Sequence, residues 1–180
     1  MRKLFLFFVL YSLFFDTSAQ SKTFHLGLKT EFYAYTSQEI SSYKTYSKVL
    51  NLSPLPAMYV VISKDLSEEF SLTLKPGLSF RPVTANFELG FALNYKICAY
   101  QYFLMGGINA YFSKYGETNP IIYFAFIGSG YQLTNRLAVD LSFHQALNTE
   151  FAFDNYSGHT YYEGPSKLLN MIKLGLAATL

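Results

Sequence analysis

The fold is decided by Phe24-His25-Leu26-Gly27-Leu28-Lys29-Thr30-Glu31-Phe32-Tyr33-Ala34-Tyr35. Its even positions are Phe24, Leu26, Leu28, Thr30, Phe32 and Ala34, and its odd positions are His25, Gly27, Lys29, Glu31, Tyr33 and Tyr35. A β-strand turns successive side chains to opposite faces, so period-two alternation predicts one apolar and one polar face.

The same alternation recurs outward along the chain. It predicts further strands at Ala57 to Lys64, Phe70 to Arg81, Thr84 to Tyr95, Ala99 to Phe112, Ile121 to Leu133, Leu137 to Gln145 and Leu168 to Leu180. Eight strands of about ten residues are the length that tilted membrane strands need. The connections alternate in length. Asp65 to Glu69, Lys96 to Cys98 and Thr134-Asn135-Arg136 read as tight polar turns, and Thr36 to Leu55, Ser113 to Pro120 and Ala146 to Lys167 as long loops. Pro82-Val83 is the short exception on the long-loop side. Short turns on one rim and long loops on the other are the asymmetry of outer-membrane barrels.

The N-terminus predicts export. Arg2 and Lys3 precede an apolar run from Leu4 to Phe15, and Thr17 and Ala19 suit cleavage before Gln20. That run is too short for a membrane span and has the layout of a secretory signal. The chain therefore divides into a signal peptide, residues 1–19, and one β-barrel domain, residues 20–180. The sequence is 51% hydrophobic, 19% aromatic and only 14% charged, against roughly 25% charged in a soluble domain. A formal charge of +2 offers no basic patch for nucleic acid. One cysteine, Cys98, excludes an internal disulfide framework.

Alternation alone allows two barrels, because a soluble lipocalin-like barrel would turn the same apolar face inward. Three features favour apolar side out. The polar face is poor in charge, with Gly107, Asn109, Gly128 and Gly130 where a wet surface would carry ions. Its few charges balance, Lys29, Lys75 and Lys173 against Glu31, Glu88 and Asp140, as an enclosed interior requires. Aromatics recur near strand ends (Tyr33, Tyr35, Phe70, Phe80, Tyr95, Tyr100, Tyr111, Phe112, Tyr131), as interfacial girdles do. The expected fold is an all-β, eight-stranded antiparallel up-and-down transmembrane barrel.

On the signal segment, the alternating strands, the Leu133-Thr134-Asn135-Arg136-Leu137 turn and the closing Ile172-Lys173-Leu174-Gly175-Leu176 strand, the chain resembles the small outer-membrane β-barrel proteins of Bacteroidetes-type bacteria. These are porin-like, OmpA-like barrels. The family usually ends in Phe or another aromatic, and this chain ends in Leu180. The resemblance implies a Gram-negative outer membrane. It also implies contact with membrane lipid and lipopolysaccharide, the barrel-assembly machinery and an extracellular protein or glycan partner.

Catalytic signals are weak. There is no phosphate-cradling glycine loop, nucleophile elbow or His-Glu pair at helical spacing. His25, His144 and His159 lie on separate elements, so no metal site and no cofactor is expected. Outer-membrane lipid A deacylases carry a His-x-Ser-Asn stretch, but His144-Gln145-Ala146-Leu147-Asn148 has Ala146 at the nucleophile position, although Ser142 lies two residues upstream on the same face. The expected class is non-enzymatic, with a narrow pore and a deacylase-like hydrolase as alternatives. Lys29, Glu31, Lys75, Glu88, Asp140, His144 and Lys173 are expected to form an interior polar plug, because eight strands leave room only for side chains. Tyr43, Tyr46, Phe151, Phe153, Tyr156, Tyr161 and Tyr162 are the loop binding candidates, since Tyr among Ser, Gly and Asn makes adaptable contact surfaces.

Overall fold

The computed structural model describes residues 24–40, 46–53, 55–80, 85–97, 101–112, 121–148, 151–154 and 165–180. The expected signal segment, residues 1–19, lies outside them. The strands are β1 (Phe24–Ile40), β2 (Tyr46–Leu52), β3 (Ala57–Asp65), β4 (Phe70–Phe80), β5 (Ala85–Lys96), β6 (Tyr102–Phe112), β7 (Ile121–Gln132), β8 (Leu137–Ala146), β9 (Phe151–Asp154) and β10 (Pro165–Thr179). Eight of them, all but β2 and β9, pair antiparallel in chain order, and β10 closes on β1 from Gly27↔Thr179 to Glu39↔Ser166. The result is a closed eight-stranded up-and-down barrel, and closure gives each of these eight strands a neighbour on both sides.

The pleat sorts the side chains as the alternation predicts. Leu26, Leu28, Phe32, Met58, Leu78, Leu93, Ile108, Ile127, Leu141 and Leu174 are exposed on the outside. Lys29, Glu31, Lys75, Glu88, Asn109, Asp140, His144 and Lys173 are buried inside. A barrel that exposes its leucines and buries its lysines is built for lipid, and this is a transmembrane barrel. Aromatic pairs mark both rims. Phe70 lies 5.0 Å from Tyr95 and Tyr102 4.9 Å from Tyr131 on the turn side, and Phe87 lies 5.4 Å from Phe112 on the loop side.

Two of the tight turns use the same device. The Ser67 hydroxyl accepts the Phe70 amide at 3.0 Å, and the Thr134 hydroxyl accepts the Leu137 amide at 3.0 Å. A side-chain oxygen in the turn thus satisfies an amide that the ladder leaves free.

Several expectations need correction. The stretch Thr36 to Leu55 is not all loop, because β1 runs on to Ile40 and pairs with β2 from Ala34↔Leu52 to Ile40↔Tyr46. Nor is Ala146 to Lys167, where β9 pairs with the start of β10. Both short strands continue barrel strands, β2 running into β3 along β1 and β9 extending β8 along β10. Strand β2 ends at Leu52 and β3 begins at Ala57, and Pro56 between them has no amide to give a ladder. That break conceals the strand from a period-two reading. Tyr33 and Tyr111 are not girdle residues, because both point inward and are buried. Tyr100 lies outside the described residues. The end expected at Leu133 falls one residue beyond β7, and Arg81, Thr84 and Ala99 lie outside the described residues.

Leu174 sits outward on β10 opposite Phe32 and Leu141. We predict that Leu174→Arg lowers unfolding free energy by about 2–4 kcal/mol, the cost of arginine near the bilayer midplane. Urea titration in phospholipid vesicles measures this, and an unchanged midpoint would contradict the lipid-facing assignment.

Candidate functional site

The inward side chains of β1, β3, β4, β5, β6, β8 and β10 meet at mid-barrel in one charged layer. Glu31 is its hub. Lys75 Nζ lies 2.5 Å from Glu31 Oε1, Lys29 Nζ 2.9 Å from the same oxygen and Lys173 Nζ 3.3 Å from Oε2. Lys29 also bridges to Asp140 at 2.8 Å, and Lys173 to Glu88 at 2.6 Å. Glu88 Oε2 accepts from Tyr59 Oη at 2.9 Å and from Asn109 Nδ2 at 2.7 Å. Tyr59 Oη in turn accepts from Lys173 Nζ at 2.9 Å. Three lysines face three carboxylates, so the layer is neutral as a set, and neutrality is what allows ions to persist away from water. Lys75 Nζ also lies 4.8 Å from the Tyr59 ring centroid, where the ring face favours a cation.

Glycine makes space for one of these bridges. Gly175 on β10 pairs with both Glu31 and Asp140, and a Cβ there would come 2.7 Å from Asp140 Oδ1. Only a residue without a side chain leaves the Lys29–Asp140 bridge its place.

The two halves of the lumen differ. On the loop side, Tyr33, Tyr59, Tyr111, Ile122, Phe124, Leu168 and Met171 pack into one buried cluster. On the turn side lies a cavity of about 530 Å³ whose lining runs from Glu68, Gln101 and Asn135 at the rim to Lys29, Lys75 and Asp140 at the floor. Large side chains thus pack together in the loop half, whereas the turn half keeps an open volume. The reason is size: the inward positions on the turn side include Ser63, Ser71, Thr73, Ala92, Ala138 and Ala177.

Of the seven interior residues expected from the sequence, six lie in the charged layer. His144 lies beside it. Its ring stacks on Phe126 at 4.7 Å and 20°, and its Nε2 is 3.0 Å from Ser142 Oγ. Both members of this pair are buried and neither lines the cavity. The pair has the hydrogen-bond geometry of a base beside a hydroxyl. Ala146 ends β8 and packs against the loop-side cluster, with no hydroxyl to attack an ester. His25 is remote from this pair and bonds Asp65 at 2.8 Å near the turn rim.

Of the loop candidates, Tyr43, Tyr156, Tyr161 and Tyr162 lie outside the described residues, as do His159 and Cys98. The backbones of Tyr46, Phe151 and Phe153 are in strands, paired with Ile40, Lys167 and Ser166. Sequence reasoning missed Tyr59 and Asn109 as members of the charged layer. Their inward parity is legible, but their convergence on Glu88 depends on how the inward side chains of β3, β5 and β6 meet inside the barrel.

No protein-family model matches the chain, and no curated protein sequence does. Among solved structures, the N-terminal β-barrel domain of Pseudomonas aeruginosa OprF matches at 13% identity and TM-score 0.43, over 84% of this chain and 97% of that one. Neisserial surface protein A matches at 11% identity and TM-score 0.42, over 85% and 97%. The P. putida toluene transporter TodX matches at 10% identity and TM-score 0.39, over 90% of this chain and 46% of its own. The chain's own closed pairing defines its fold, and no activity is carried over from these structures.

Removing Lys173 would leave Glu88 without its cation. We predict that Lys173→Met destabilises by about 3–5 kcal/mol, the range for breaking a buried pair from one side. Adding Glu88→Gln should restore part of that loss. A double-mutant cycle in urea reads the coupling, and strictly additive losses would contradict a shared ion layer.

Proposed function

We propose that the chain is a non-enzymatic barrel of the bacterial outer membrane, of the small Bacteroidetes-type class, exported by its signal segment. Its role is to strengthen the envelope or to hold an extracellular protein or glycan through its outer loops. One observation carries the non-transport part of this reading: a neutral ion layer and an aromatic cluster follow one another across the lumen. Lipopolysaccharide and the other membrane lipids would meet the exposed apolar wall, and the assembly machinery would fold the chain from the periplasm. Short turns face the periplasm in barrels of this kind, so the cavity mouth is periplasmic and β2 and β9 project outward.

The narrow pore is the second reading, and the turn-side cavity favours it. That cavity takes water halfway across the wall and ends on Lys29, Lys75 and Asp140. Planar bilayers containing the refolded chain distinguish the two. We predict no steady conductance, and stepwise channel currents from heat-modifiable protein would favour the pore. For the loops, deletion of residues 155–164, between β9 and β10, should leave a heat-modifiable barrel and abolish the partner-dependent phenotype. A deletion protein that supports every phenotype of the intact chain would contradict loop-mediated binding.

A further inference from the structure

The turn-side cavity has three kinds of lining, each from its own strands. Ala92, Met105 and Phe126, on β5, β6 and β7, form a buried apolar wall with Phe103 packed against it. A Cβ at Gly130 would collide with the Phe103 ring, so glycine there leaves the ring its place on the wall. On β3, β4 and β5 the lining is polar, with Ser63, Ser71, Thr73 and Asn94. Ser63 Oγ lies 2.8 Å from Thr73 Oγ1, and Asn94 Nδ2 donates to the same Thr73 oxygen at 2.8 Å. These groups satisfy one another, so the floor decides what polarity a guest must carry.

The floor carries Lys29, Lys75 and Asp140. Lys29 is committed to two carboxylates, Glu31 and Asp140. A lysine ammonium has three donors. Among the described residues, the hydrogen-bond acceptor of Lys75 Nζ is Glu31 Oε1 alone. The same Nζ lies 5.7 Å from the centroid of the Phe126 ring, beside the apolar wall. A guest seated on that wall would meet an ammonium with donors to spare. Its charge is constrained as well. The layer beneath sets three lysines against three carboxylates, so a guest ion would bring buried charge without a counterion. A volume of about 530 Å³ is that of a small-molecule pocket, and such pockets join apolar walls to a few placed polar groups.

We propose that this cavity is a binding site for a small neutral molecule with a compact apolar body and one hydrogen-bond acceptor, such as an alcohol, amide or ketone. The body lies along Ala92, Met105 and Phe126, and the acceptor takes an N–H of Lys75. Entry is from the turn rim, past Glu68, Gln101 and Asn135. The site goes beyond the envelope role and needs no partner at the outer loops.

The methionines report on it directly. Met105 lines the cavity, Met171 belongs to the loop-side cluster and Met58 is exposed on the outer wall. The mature chain, isotope-labelled at its methionine methyls, is refolded in phosphatidylcholine nanodiscs and titrated with phenylacetamide, phenylacetate or phenethylammonium. In nuclear magnetic resonance spectra the amide should shift the Met105 methyl saturably and leave Met58 and Met171 in place. Both ions should bind at least about ten-fold more weakly, because each carries unpaired charge inward. Lys75→Met removes the donor and leaves the layer one cation short, so the preference should turn from the amide to the ammonium.

Phenylacetate bound as tightly as the amide, or an amide that leaves Met105 unmoved, overturns the proposal. So does a Met58 shift that keeps pace with Met105, which marks partition into the bilayer. Gel mobility with and without boiling is read on every sample. If Lys75→Met does not fold, the comparison of amide with ions in the wild-type chain decides. A heat-modifiable wild-type barrel without amide binding defeats the cavity site alone, whereas a chain that never becomes heat-modifiable defeats the membrane-barrel reading with it.

Discussion

Glu31 lies inside the barrel in contact with three lysines, on β1, β4 and β10. The rest of the structure depends on this convergence. A carboxylate taken out of water loses several kcal/mol of solvation, and it stays ionised only where cations and hydrogen bonds replace the water. Here Lys29 and Lys173 each pass charge onward, to Asp140 and to Glu88. The layer therefore ties β1 to β4, β5, β8 and β10 across the lumen. Lys29 and Asp140 are 111 residues apart in sequence, and no local interaction would bring them together. Register matters for the same reason: a one-residue slip would turn the lysine of the slipped strand toward lipid.

Much of this arrangement is legible in the amino-acid sequence. Period-two alternation identifies the face of every charged residue in the layer, and charge parity among Lys29, Lys75, Lys173, Glu31, Glu88 and Asp140 indicates an enclosed interior. What escapes the sequence does so for physical reasons. Strand β2 lies beyond a proline-containing break, and its opening residues Tyr46, Ser47 and Lys48 resemble a loop. Tyr33 and Tyr111 have the residue type of a membrane girdle, and only their parity reveals that they face inward. The turn-side cavity is a volume effect, the sum of small residues on several strands, and no single stretch announces it. The partners within the ion layer are also hidden, because pairing across a lumen depends on strand tilt and stagger.

Ser142 and His144 share a buried hydrogen bond, and the His144 ring stacks on Phe126. Function is better sought where the molecule meets something else. The four strands β2, β1, β10 and β9 carry the sheet past the barrel wall, and they give the outer face a height that the other described strands lack. The charged layer lies within the barrel, and the extended sheet of β2, β1, β10 and β9 stands on its loop side.

The central claim is that leucines face lipid and lysines face the lumen. The chain contains no tryptophan, so a single introduced one reports its own surroundings. Leu141→Trp puts the reporter on the outer wall, and Ala92→Trp puts it in the turn-side cavity. In vesicles with brominated acyl chains, the account predicts strong quenching at position 141 and little at position 92. Quenching at 92 with none at 141 would mean that the faces are reversed.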